Sequence, residues 1–121
     1  MREITDHHDG HGLAESLKVT ADPTDLNAGG ASHYYEIMLN GAAVGFLQFQ
    51  HGPRHESSSV PGTLDGVLLA IVVDRMRCFN AGPFATRENA LVMTHCQEAL
   101  HWLKHRADER AARDVLGRNV K

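Results

Sequence analysis

The chain has 121 residues, 42% of them hydrophobic and 22% charged, with a formal net charge of −3. This is the composition of one globular domain with a modest core, too short for two domains. The charge excludes a general binder of DNA or RNA polymers, which would be strongly basic, and leaves room only for a local basic pocket.

Residues 1–16 are polar and rich in histidine and glycine, and are expected to be a poorly ordered N-terminal segment preceding a single domain over 17–121. Met1-Arg2-Glu3-Ile4-Thr5-Asp6 lacks the apolar run of a signal peptide. The apolar run 67–73 is far too short for a membrane span. Leu17-Lys18-Val19-Thr20 alternates as a first strand does, and 22–30 has loop composition throughout. Tyr34–Leu39 and 43–50 read as two strands joined by Asn40-Gly41, the favoured type I′ hairpin turn. In the second run Val44, Phe46 and Gln48 face one way, while Leu47 and Phe49 face the other. Apolar groups on both faces imply cover by a helix on one side and by another subunit or the sheet edge on the other. His51-Gly52-Pro53-Arg54 breaks the strand, placing the sheet at about 17–53, and 56–62 is a Ser-rich loop.

Two helices follow. The first is expected from an N-cap at Thr63, with Asp65 in its first turn, to about Phe79. Leu64, Val67, Leu68, Ile71, Val72, Met76 and Phe79 recur at helical spacing. Gly66 weakens the first turn by roughly 1 kcal/mol relative to alanine. Gly82-Pro83 makes the bend. The second helix is capped by Thr86, carries Glu88 in its first turn, and buries Val92, Cys96, Ala99, Leu100 and Leu103. The two cysteines, Cys78 and Cys96, fall in these helices and read as small core residues of a reduced, cytosolic protein. Over 89–110 the second helix spans roughly 30 Å, more than so small a domain can bury. The fold class is therefore α+β: a small antiparallel sheet, then a C-terminal antiparallel helical hairpin over about 63–113, oligomeric because the hairpin needs a partner.

Arg106, Arg110 and Arg113 recur at i, i+4 and i+7 and share one helix face. With Asp108, Glu109 and Asp114 nearby, they read either as a solvated helix end with local ion pairs or as an anion-binding ladder. Arg87 has the same solvated default. Phe79 and Phe84 flank the bend, where each either closes the hairpin core or stacks on a purine, a contact worth roughly 1–3 kcal/mol per base. Asn89, a poor helix former, either extends the cap or presents its amide to a base edge. The histidines at 7, 8 and 11, and the pair His101 and His105 at i, i+4, lack a carboxylate or thiolate at zinc-site spacing, so no metal is assigned. No G-x-S-x-G, Walker loop or Cys/His dyad is evident, and on a helix His95 and Cys96 point about 100° apart. Neither a catalytic residue nor a cofactor is assigned.

Phe49-Gln50-His51-Gly52-Pro53, Leu68-Leu69-Ala70-Ile71-Val72-Val73-Asp74-Arg75, Phe79-Asn80-Ala81-Gly82-Pro83-Phe84-Ala85-Thr86-Arg87-Glu88-Asn89-Ala90-Leu91 and Glu98-Ala99-Leu100-His101-Trp102-Leu103-Lys104-His105-Arg106 resemble a family of small phage proteins. This is the first type of Thoeris anti-defence sponge, whose C-terminal helical hairpin is shared with anti-CBASS cyclic-nucleotide sponges. The resemblance covers roughly 34–113.

It implies a protein of the host cell cytoplasm that binds cyclic ADP-ribose isomers made by TIR defence enzymes and holds them without cleavage. Some members also capture cyclic di- or trinucleotides of the CBASS pathway. The implied assembly is a dimer or hexamer with the ligand between subunits. Carried over by residue type and local context, the family's base-sandwiching aromatic and amide fall on Phe79 and Asn89. Its phosphate- and ribose-holding arginines fall on Arg106 and Arg110, with Arg54 as a third, and Phe84 is left to the hairpin core. The chain departs from the family pattern in the loop at 57–62, in the tail at 114–119, and at Asn80, where glutamine is expected. These departures bear on which isomer is preferred. Two other readings stay open: a phage structural or accessory protein whose hairpin is only an assembly surface, and an enzyme degrading cyclic nucleotides.

Overall fold

The Asn40-Gly41 turn organises the first half of the chain. Both residues adopt left-handed backbone, with φ of 51° and 83°, as a type I′ turn requires. The computed structural model describes residues 1–52 and 59–113; Arg54 and the tail from 114 lie outside them. The described chain divides into two compact units, one ending at Thr63 and one beginning at Leu64.

The first unit is a four-stranded antiparallel meander, β1 (Arg2–Ile4), β2 (Leu17–Ala21), β3 (Tyr34–Leu39) and β4 (Ala42–Gln48), paired in that order. Ile37 pairs with Gly45 and Met38 with Ala43, so Val44 is the extra residue of a β-bulge. On one face Leu17, Val19 and Ala21 lie opposite Leu39, Ile37 and Tyr35, and Tyr35 meets Phe49 edge-on at 5.6 Å. The other face carries Tyr34 stacked with Phe46 at 6.1 Å. Val44 and Phe46 on the edge strand are 56% and 68% exposed, so within one chain this face lacks the cover that its apolar pattern implied.

The expectation of a poorly ordered start, with a sheet beginning at residue 17, is corrected. Arg2–Ile4 adds an edge strand to β2, and Arg2 Nη2 donates to the buried Ser32 Oγ at 2.8 Å. Between these strands the glycine-rich turn closes on one carboxylate, that of Glu15 in α1 (Leu13–Ser16). Glu15 accepts backbone N–H bonds from Gly12 at 2.7 Å, Gly10 at 3.1 Å and Asp9 at 2.5 Å. These bonds to the charged form hold its pKa down at about 2. Low hydrophobicity concealed this order, because the turn is held by hydrogen bonds and not by apolar burial.

The second unit is a helical hairpin of α2 (Asp65–Asn80) and α3 (Arg87–Ala112). Thr63 does not cap α2. Its backbone pairs with the sheet, Thr63 N donating to Gln48 O and Gln50 N donating to Thr63 O, both at 2.9 Å, and Leu64 takes the N-cap position without a side-chain bond. The capping of α3 is as expected: Thr86 Oγ1 accepts from Asn89 N at 3.0 Å, and Glu88 lies in the first turn. Gly66 near the start of α2 faces Leu100 and Leu103 of α3, while Asn80 at its end meets Asn89, so the helices are antiparallel. Between them Val73 is buried, and Leu68, Met76, Cys96, Ala99, Leu100 and Leu103 are half-buried.

A pair of helices can bury only one stripe of each. Leu64, Val67, Ile71, Val72 and Phe79 of the expected inner stripe, together with Val92, remain exposed. Cys78 is exposed as well, which corrects its reading as a core residue.

Candidate functional site at the helical bend

Among the described residues, the side-chain hydrogen bonds of the bend converge on two asparagines. Asn80, the last residue of α2, offers Oδ1 to Thr86 N at 3.0 Å and to Asn89 Nδ2 at 3.2 Å. Asn89 Nδ2 also donates to Phe84 O at 3.0 Å. Asn89 thus joins the end of one helix, the crest of the turn and the start of the next helix. Its backbone N–H completes the Thr86 cap. The sequence offered cap or ligand contact as alternatives, and the bend uses the backbone for one while tying down the amide nitrogen.

Phe79 lies one residue before this clamp. The residue is 39% exposed, and the Arg75 guanidinium lies over its ring with the carbon 5.6 Å from the ring centroid. Arg75 is one helical turn earlier, which puts both residues on the same face. A guanidinium over a ring face is attracted by the ring quadrupole. Among the described residues Arg75 has no ion-pair partner, since Asp74 pairs with Arg77 at 4.0 Å. The bend therefore presents an accessible aromatic ring beside a cation.

Phe84 is 73% exposed, which corrects its assignment to the hairpin core. The turn carries it outward, and its structural contribution is its carbonyl, not its ring.

The arginine ladder of α3 separates by environment. Arg106 is exposed and makes no ion pair among the described residues. Arg110 is buried, only 7% exposed, and is not without a partner. Arg113 donates to Glu109 Oε1 at 3.2 Å. Lys104 reaches Asp108 at 2.7 Å. The solvated helix end with local ion pairs describes Lys104 and Arg113, and it does not describe Arg110.

The sheet unit contains a cluster that sequence reasoning did not find. His51 Nε2 and Asp25 Oδ2 are 2.8 Å apart, and the His51 ring stacks on His33 at 4.3 Å. His33 Nε2 in turn lies 3.1 Å from Ala28 O. The hydrogen bond to His51, with a second from Asn27 N, holds the Asp25 carboxyl below its usual range. These contacts fasten the 25–31 loop to the end of the sheet. Asp25 and His51 are too far apart in sequence for any local pattern to have joined them. Among the described residues, no group of three or more His, Cys, Asp or Glu side chains is placed to hold a metal ion, and no helix is long and apolar enough to cross a membrane.

The chain is 34% identical to Thoeris anti-defense 1 of Bacillus phage SBSphiJ7 over 93 residues. That match covers 77% of this chain and 65% of the relative, so it spans just under two thirds of the relative's length. Residues 46–107 match the family described as Acb2/Tad1, hairpin domain. The matched segment contains β4 from Phe46, all of α2, the bend and most of α3, including Phe79, Asn80, Asn89 and Arg106. With just over half of its length matched, the chain belongs to the Acb2/Tad1 hairpin-domain family.

Proposed function

We propose that this protein is a phage anti-immune sponge, which sequesters cyclic ADP-ribose isomers made by TIR defence enzymes without cleaving them. The observation that carries this reading is the pairing of an accessible Phe79 ring with a fixed Asn89 amide at one bend, in a chain whose relative is an anti-defence protein. A flat base stacks on Phe79 beside Asn89, and the diphosphate meets guanidinium groups. Arginine suits that task, because its planar fork matches phosphate oxygens and stays charged. Arg106 is the accessible candidate on α3. Arg54 lies outside the described residues and is proposed on resemblance alone. Arg110, being buried, shapes and supports the helix end beside the ligand.

Self-association completes the site in this reading. At 26 residues, α3 is about 39 Å long, and Leu64, Val67, Ile71 and Trp102 stay 47–58% exposed along the hairpin. An apolar stripe of this kind is covered by a second copy in a dimer or hexamer. That brings the helix end of one subunit near the bend of another.

A thermal-shift titration of the purified protein tests the reading, with cyclic ADP-ribose isomers and cyclic di- and trinucleotides as probes. Stabilisation by a cyclic ADP-ribose isomer should grow with the logarithm of its concentration above Kd. Stabilisation by cyclic di- or trinucleotides alone would move the reading to that ligand class. No shift with any probe would leave the hairpin as an assembly surface.

A further inference from the structure

The clamp at the bend leaves Asn89 with one free end. Both hydrogens of its amide nitrogen are committed, to Asn80 Oδ1 at 3.2 Å and to Phe84 O at 3.0 Å. Both partners are acceptors, so the network fixes which end of the amide is nitrogen. The oxygen accepts no hydrogen bond among the described residues, and Asn89 remains partly exposed. Asn80 is itself held in place, because the same Oδ1 accepts Thr86 N at 3.0 Å and so ties it to the N-cap of α3. An unclamped asparagine can rotate its amide to offer donors or an acceptor as the ligand demands. Asn89 cannot do so without breaking two hydrogen bonds.

We propose that Asn80 is a positioning residue that locks the Asn89 amide with its oxygen outward, so that the site selects a purine with an amino donor at the 6-position over one with a keto oxygen there. This rests on the nucleotide-binding reading above and adds to it a rule for the base. The 6-amino group of adenine donates to Asn89 Oδ1. A hypoxanthine 6-keto group at the same place sets two oxygen lone pairs against each other, and its only donor on that edge, N1–H, lies one atom away, so the base reaches Asn89 Oδ1 only by shifting in the stack.

The test uses a matched pair of probes: a cyclic ADP-ribose isomer with a free 6-amino group, and its hypoxanthine counterpart. Both carry the same diphosphate, so the ratio of their affinities is insensitive to phosphate contacts and to modest loss of stability. Calorimetry on the assembled wild-type protein should show about a tenfold preference for the adenine probe. Asn80→Ala removes the clamp, and the preference should fall below about twofold as the amide rotates. Asn80→Asp restores an acceptor oxygen at the same position, and should restore the preference even if the added charge weakens both affinities. Equal affinity of the wild type for the two probes would overturn the proposal, and so would an Asn80→Ala variant that keeps the full preference. If the wild type binds neither probe, the nucleotide-binding reading fails and the base rule fails with it. Binding of both without discrimination removes only the base rule.

Discussion

The Arg75 guanidinium lies over the Phe79 ring, its carbon 5.6 Å from the ring centroid, and Phe79 remains 39% exposed. In the proposed site a base would stack on the exposed part of this ring, beside the cation. Phe79→Ala should weaken capture of a cyclic ADP-ribose isomer by roughly 10- to 100-fold, the range expected from loss of one base–aromatic stack. Arg75→Ala should cost only a few fold, since a cation–π contact at an exposed site is worth about 0.5–1 kcal/mol. Calorimetric titration reads both, and a larger loss for Arg75→Ala than for Phe79→Ala would reverse the assignment.

Arg106 and Arg110 should respond oppositely to truncation. Arg106 is exposed and unpaired among the described residues, so Arg106→Ala should remove capture while leaving Tm almost unchanged. Arg110 is buried and engaged. Removing it strands its buried contacts and should destabilise the protein by roughly 3 kcal/mol. Thermal melts beside binding titrations separate the two. Equal Tm losses would show that the difference in burial has no energetic consequence.

Two glycines make a contrasting pair. A Cβ at Gly66 would sit 3.5 Å from Leu100 Cδ2, in ordinary van der Waals contact, so Gly66→Ala should stabilise α2 by up to about 1 kcal/mol. A Cβ at Gly62 would overlap the backbone of Gln48 and Phe49. Gly62→Ala should therefore break the pairing of Thr63 with the sheet and lower stability. Chemical denaturation of the two variants checks the opposite signs.

Glu15 gives the N-terminal turn a defined acid sensitivity. Its pKa falls from 4.5 to about 2 because three backbone N–H groups favour the carboxylate. The folded value lies below the unfolded one, so this contribution is complete above about pH 4.5 and is lost as the pH falls toward 2. NMR of the Glu15 carboxyl carbon should titrate near 2, and amide protection of Gly10 and Gly12 should fail over the same interval. Glu15→Gln should lower protection at neutral pH. A Glu15 midpoint near 4.5 would contradict the hydrogen-bonded turn.

Local chemistry made the hairpin turn, the Thr86 cap and the two helices legible, since Asn-Gly, Ser/Thr caps and helical periodicity each act over a few residues. The sheet read short because β1 is held to β2 by pairing across the Glu15 turn, and nothing in Arg2-Glu3-Ile4 signals a partner. Thr63 looked like a cap because threonine suits that role, but its backbone was already committed to Gln48 and Gln50. Phe84 was misplaced because hydrophobicity alone does not say which way a turn carries a ring. At the site, Phe79 and Asn89 stood out by residue type and resemblance. Asn80 registered only as a departure from an expected glutamine, and its acceptor role depends on where Thr86 and Asn89 come to lie. The shorter asparagine places its oxygen between both donors, an arrangement that no spacing rule reveals.

Capture followed by release is the most direct test of the sponge reading. The protein is mixed with a cyclic ADP-ribose isomer in slight molar deficit and filtered to measure free ligand; the retained complex is then heat-denatured and the released nucleotide analysed by mass spectrometry. Near-complete loss of free ligand is expected before heating, and recovery of the unmodified isomer afterwards. Ligand left free in the filtrate, or a linear or hydrolysed product after heating, would contradict the sponge reading.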